Sequence, residues 1–182
     1  MRVAFYRFGI KVGFNPVRRL TAAVPEGDFF SLPEEGRLLS CLPTVRSWNG
    51  EIQLFSHFQF PLTTLIPDWH VNAFTGHRIS YPERCWWQIP DFDPAMGDIK
   101  PIWEASRFDW VLAFAQRARN GDPESLTCLN AWLSDWCVKN APYKGPNWKC
   151  GQEASIRVMH LAMAALILGR ANKPEKGLLN LV

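Results

Sequence analysis

The apolar and polar positions of this chain obey different rules in its two halves. Over residues 1–97 no helical period lasts, because breakers recur: Pro16, Pro25, Gly27, Pro33, Gly36, Pro43, Gly50, Pro61, Pro67, Gly76, Pro82, Pro90, Pro94 and Gly97. Proline lacks the backbone donor and clashes with the preceding turn, so breakers at this density leave no room for long helices. One stretch has a clear period of two. In 51–60, Ile52, Leu54, Phe58 and Phe60 fall on one side, which predicts a half-buried strand with Trp48-Asn49-Gly50 as the turn before it. Residues 1–10 fit either a short helix or an extended anchor.

From residue 98 the period becomes helical. Asp98 can cap a helix over 99–119, which stops at Asn120-Gly121, where glycine suits the position after a last turn. Asp122-Pro123-Glu124 then supplies a cap, a proline in the first turn and an acid beside it, starting a second helix that runs to about residue 139. A third begins near Asn147 or Trp148 and ends at Gly169, and Lys173-Pro174-Glu175 opens a fourth. The fold class expected is mainly α, with an irregular segment and short strands over 1–97 and stacked antiparallel helices over 98–182. The first and third helices are apolar around most of their circumference, so each needs cover on more than one side. The helices present cannot provide it, and the chain is therefore expected to be the leading part of a larger, mostly helical protein.

Composition narrows the classes. A length of 182 residues suits one domain with a real core, and 47% hydrophobic with 20% charged residues is globular rather than disordered. The net charge of +3 is small, and no stretch interleaves Lys and Arg with aromatics, so nucleic acid is not an expected partner. Nine Trp and twelve Phe stand against three Tyr. Indoles suit thick cores and also sugar-stacking surfaces, the core being the commoner place. Cys41, Cys85, Cys128, Cys137 and Cys150 are odd in number and show no C-x-x-C spacing, so they read as free thiols rather than a disulfide framework or zinc site. Arg7 and Lys11 interrupt the apolar N-terminus, leaving no signal-peptide core, and a cytoplasmic location is the default. The longest nearly apolar run, 158–168, contains His160 and is too short to span a bilayer.

Candidate chemistry lies where polar residues interrupt the apolar helices. Glu153, Arg157 and His160 follow at i, i+4 and i+7, forming one stripe. That stripe is either an ion pair on a solvated face or the lining of a wet cleft. On the first helix, Trp103, Glu104 and Arg107 make a similar set, in which Arg107 is either a cation–π prop on Trp103 or a ligand for a carboxylate. His70 and His77 lack a completing ligand for metal, and a turn between Pro90 and Pro94 explains Asp91 and Asp93 as well as a paired-acid site does. There is no P-loop, dinucleotide fingerprint, G-x-S-x-G elbow or H-E-x-x-H, and neither a metal nor a cofactor is expected.

Four segments in order carry a resemblance. They are Asn15-Pro16-Val17-Arg18-Arg19; Ile66-Pro67-Asp68-Trp69 with Asn72; the D-I-K-x-x-W-E-x-x-R run from Asp98 to Arg107; and the N-W-x-x-x-x-E-x-x-x-R run from Asn147 to Arg157. In order and spacing the chain resembles the N-terminal region of heparinase II/III-like polysaccharide lyases, over nearly its whole length. The resemblance implies the N-terminal part of an incomplete (α/α) toroid, with a β-sandwich to follow. It implies β-elimination on an acidic, uronic-acid polysaccharide, heparin-like or other. It places Asn147, Trp148, Glu153 and Arg157 at motif positions as candidate substrate contacts. No catalytic residue falls within the chain, because the family's Asn, Tyr and His are expected downstream of Val182. The remainder of the chain, namely the missing helices and the sandwich, is then a partner of this part, which alone is expected to be inactive and poorly soluble. Related lyases are often periplasmic. A non-catalytic helical scaffold that binds glycan or protein is the competing reading, and a glycoside hydrolase on a similar toroid, which needs two flanking carboxylates, is a third.

Overall fold

The computed structural model describes residues 2–32, 51–61, 65–171 and 173–182. Cys41 and the Trp48-Asn49-Gly50 turn lie outside the described residues. The described part is mainly helical: α1 (Arg2–Val12), α2 (Lys100–Ala105), α3 (Asp109–Arg119), α4 (Pro123–Lys139), α5 (Gly151–Ile167) and α6 (Lys176–Leu181). Two small antiparallel pairs join β1 (Glu51–Leu54) to β2 (Phe58–Pro61), and β3 (Phe92–Asp93) to β4 (Gly97–Asp98). Of the two readings of the N-terminus, the helix is the one adopted. Among the described residues, no helix is long and apolar enough to cross a membrane.

Two expectations need correction, both because packing overrode local pattern. The 51–60 run is a hairpin, not one strand. Phe55 and Ser56 take left-handed backbone angles (φ 50° and 63°) and turn the chain back, pairing Ile52 with Phe60 and Leu54 with Phe58. Residues directly opposite share a face of a sheet, so the four apolar residues still lie together. What holds this glycine-free turn is distant in sequence: the Phe55 N–H donates to a Glu104 carboxylate oxygen at 2.7 Å.

The expected helix over 99–119 is likewise two, α2 and α3, broken at Ser106-Arg107-Phe108. Phe108 sits at φ 69° with its ring buried edge-on against Trp110 and Trp136, centroids 5.4 and 4.9 Å away. The Trp136 indole N–H donates to the buried Ser106 hydroxyl at 3.0 Å. These contacts compensate the left-handed residue, which costs about 1–3 kcal/mol outside glycine.

Where signals were local they hold. Asp98 Oδ1 accepts the Lys100 N–H at 2.9 Å. Gly121 takes the left-handed conformation (φ 95°) after α3, and Asp122 accepts from the N–H groups of Glu124 and Ser125 at the start of α4. The third helix enters through a 3-10 turn, Pro146–Trp148, before α5 proper.

α3 packs against both α4 and α5 around a tryptophan-rich core. Trp110 lies 5.7 Å from Trp69 and 5.1 Å from Trp132 between ring centroids. The irregular N-terminal half enters the same core. Phe29 and Phe30 are buried there, and the Asn130 side chain bonds both their N–H groups at 3.0 Å and the Phe30 carbonyl at 2.9 Å. α6 closes on this segment at Gly177, where a Cβ would stand 2.6 Å from the Asp28 carbonyl oxygen. A side chain there has no room.

Candidate functional site

The segments 98–107 and 147–157 interlock. Trp103 of α2 donates its indole N–H to the Pro146 carbonyl at 2.9 Å, at the entry to the N-W segment. Arg107, in the break between α2 and α3, reaches Glu153 on α5 with a two-pronged bond, Nε to Oε2 and Nη2 to Oε1, each 2.7 Å. Its third arm bonds Glu104 one turn back. Arg107 is therefore a carboxylate ligand, the second of the two roles its position allowed.

Both carboxylates are buried, Glu104 at 5% and Glu153 at 4% exposure. A buried carboxylate is tolerable only when paired and hydrogen-bonded, and each is: Glu104 also receives the Phe55 N–H. The hydrogen bond to Glu153 raises the Arg107 pKa above its ordinary value, although burial opposes it. His160 completes the stripe, with Nδ1 2.6 Å from the Arg107 carbonyl and 3.4 Å from Asp109. Glu153 and His160 thus face the α2–α3 break rather than a solvated surface or an open cleft, while Arg157 between them turns toward the 3-10 turn and α4.

Arg157 lies one turn further along. It is 5% exposed, donates to the Asn147 carbonyl at 2.9 Å, and has its guanidinium carbon 5.0 Å from the Trp136 ring centroid and 5.6 Å from that of Trp148. Burial drives its pKa down to about 10, since a low-dielectric site disfavours the charged form.

Asn147 belongs to a second buried chain of bonds. Its amide donates to Asn140 Oδ1 at 2.8 Å and to the Trp69 carbonyl at 3.3 Å. Asn140 Oδ1 also stands 3.0 Å from His70 Nε2, while Arg78 reaches His70 Nδ1 at 3.3 Å. A guanidinium only donates, so Nδ1 accepts and the Nε2 proton points to Asn140. Burial lowers the His70 pKa, with the Asn140 bond opposing. Gly145 makes this approach feasible: at φ 74° its missing Cβ would lie 2.5 Å from the Pro82 carbonyl oxygen and 4.0 Å from His70 Nε2.

No family model, curated protein or solved structure matches the chain. Of the four candidate contacts, Asn147, Glu153 and Arg157 are buried and engaged in internal bonds, whereas Trp148 is half-buried and faces a pocket. Its indole N–H donates to the Asn140 carbonyl at 2.9 Å, leaving the ring beside Tyr143 at 5.7 Å between centroids. Together with Pro142 and Asn180 these rings line a cavity of about 180 Å³. A larger cleft of about 400 Å³, lined mainly by apolar residues such as Ile52, Leu54, Phe60 and Pro67, lies beside the hairpin.

The remaining candidates fall elsewhere. Asp93 Oδ1 accepts from Ala95 and Met96, the turn among the two readings of these acids, and Asp91 pairs with Lys149 at 3.0 Å. His77 is exposed and His70 is buried. Among the described residues, no group of three or more His, Cys, Asp or Glu is arranged to hold a metal. The roles of Asn140, Tyr143 and His70 had no signal in local spacing, because their partners come from separate segments.

Proposed function

We propose that this chain is the leading helical wall of a heparinase II/III-like polysaccharide lyase, acting on a uronic-acid polysaccharide by β-elimination. That reaction takes the C5 proton beside a carboxylate and expels the O4 oxygen. The developing charge needs a neutralising donor aimed at the carboxylate, and proton transfer needs a positioned base and acid. In this reading those groups come from helices beyond this wall. The wall supplies a rigid backing, through the Arg107–Glu153 and Trp103–Pro146 ties, and an aromatic face at Trp148.

The observation that supports the helical-wall part of this reading is the outer face of α5. Val158, Met159, Met163 and Leu166 are 37, 56, 49 and 62% exposed, with Ala162 between them, while Glu153, Arg157, Leu161 and Ala164 on the inner face are buried. Positions spaced by three and four form one stripe of a helix. An apolar stripe of this kind is what stacked helix pairs bury against their neighbours, each large side chain contributing about 1.5–3 kcal/mol when fully covered. A (α/α) toroid built by further helices covers it.

The second reading, a non-catalytic helical scaffold binding glycan or protein, is favoured by one observation: Asn147, Glu153 and Arg157 are all engaged in internal bonds. The two are separated by incubating the full-length protein with heparin-like and other uronic-acid polysaccharides and analysing chain ends by ultraviolet absorbance and mass spectrometry. Unsaturated uronate ends are expected. Binding without cleavage supports the scaffold, and saturated new ends indicate hydrolysis instead.

A further inference from the structure

Charge is unevenly distributed along the chain. Residues 1–25 hold Arg2, Arg7, Lys11, Arg18 and Arg19, and the first acid is Glu26. Of the 20 Lys and Arg, fifteen then remain against all 17 Asp and Glu, so residues 26–182 are net acidic while the leading segment is purely cationic. An asymmetry of this kind points to an anionic partner.

The fold sorts this segment by face. In α1, Phe5, Phe8 and Val12 follow at i, i+3 and i+7 and form one stripe, and they are 78, 61 and 45% exposed. Arg7 and Lys11, four apart, are exposed on the flank beside it, so cations and rings occupy adjoining faces rather than alternating. Ile10, on the side away from the stripe, is buried. Gly13, at φ 89°, follows the helix, and Phe14 next to it is 88% exposed. The Arg18 guanidinium carbon then lies 5.5 Å from the Trp87 ring centroid, which ties the segment to the rest of the protein.

We propose that α1 is an interfacial anchor that lies flat on an anionic lipid bilayer, with Phe5, Phe8 and Val12 at the acyl boundary and Arg7 and Lys11 at the lipid phosphates. A helix with aromatic side chains on one face and cations on its polar face binds in this manner. At a length of about 16 Å, α1 is too short to cross a hydrocarbon core of about 30 Å, so it rests in the surface. The charge beside the stripe decides the occupant. The outer face of α5 has no Asp, Glu, Lys or Arg over 158–169 and suits another apolar helix. Such a helix on α1 would leave the bordering cations unanswered. An acidic glycan answers the cations but offers no apolar layer to the exposed phenylalanines. A bilayer with anionic headgroups supplies both, whether or not the whole protein cleaves a glycan.

Co-sedimentation of the 182-residue chain with phosphatidylcholine vesicles, with and without phosphatidylglycerol, is the test. Attachment is expected to the anionic vesicles and to be at least about tenfold weaker on the neutral ones. Each cation near an anionic leaflet strengthens binding about fivefold, so Arg7→Gln with Lys11→Gln weakens it roughly 25-fold at low salt, a difference that shrinks as salt rises. Phe5→Ser with Phe8→Ser weakens it by about tenfold or more at any salt. Both double variants melt with the unsubstituted chain, because all four side chains are exposed. Absence of binding to anionic vesicles overturns the proposal, as does equal binding to neutral ones or binding that neither double variant alters. A double variant that melts several degrees lower also overturns it, since the stripe would then be packed within the fold. Retention on heparin that is lost in Arg7→Gln, Lys11→Gln but kept in Phe5→Ser, Phe8→Ser, without attachment to vesicles, overturns it in favour of an acidic glycan.

Discussion

Replacing Glu153 with glutamine tests whether the motif helix faces inward. The substitution keeps the shape of the side chain but removes the charge that meets Arg107 through two 2.7 Å bonds. One bond loses its ionic character, and the other sets an amide N–H₂ against a guanidinium N–H. Breaking one partner of a buried pair costs about 3–5 kcal/mol. The lower end applies here, because the Arg107 side chain is 27% exposed and retains Glu104. A loss of about 3 kcal/mol corresponds to a melting temperature lower by roughly 6–12 °C in a chain of this length. Urea unfolding followed by tryptophan fluorescence and far-ultraviolet circular dichroism measures it directly. A double-mutant cycle with Arg107→Gln isolates the pairwise coupling. A loss below about 0.5 kcal/mol, the range of ordinary surface substitutions, would refute the inward placement and return Glu153 to an open face available to a glycan.

Further outcomes follow from the same geometry. Gly145→Ala forces a side chain into φ 74° and a Cβ to 2.5 Å from the Pro82 carbonyl, so it costs about 1–3 kcal/mol in backbone strain alone. Gly151→Ala, where nothing lies within 4 Å, is the matched control in the same unfolding assay. His70 has a folded pKa below its ordinary 6.5, so the unfolded chain takes up the proton first. Stability is then complete above that value and declines as pH falls from it toward the folded pKa. His70→Gln removes this acid-side decline in melts recorded across the range. Burial pushes the Cys137 thiol up to about 12 at 1% exposure. A thiol reagent at pH near 8 should leave it unmodified in the native chain and label it in urea, as read by peptide mass mapping.

Particular residues show how much of this was legible in the sequence. The Asn120-Gly121 stop and the Asp122-Pro123 start are set by groups within three residues of each other, and pattern alone finds them. The break at Ser106-Arg107-Phe108 carries no glycine or proline. It is held by Trp136 and by the pull of Arg107 toward Glu153, 46 residues away. The hairpin turn at Phe55-Ser56 escaped for the same reason, its anchor being Glu104. The polar stripe of α5 was legible as a stripe, but which way it faced depended on where the α2–α3 break placed Arg107. Helical periodicity identifies faces; it does not say what each face meets.

The proposed role as one wall of a larger helical assembly is tested most directly by sedimentation velocity on the 182-residue chain and on a Met159→Glu, Met163→Lys, Leu166→Glu variant. These three side chains are 49–62% exposed on the outer face of α5. Concentration-dependent association of the unsubstituted chain through this stripe is expected, with a monomeric variant of unchanged unfolding. A monomeric unsubstituted chain at high concentration would contradict it, as would a variant that loses stability, since either result would mean that the stripe needs no further helix to cover it.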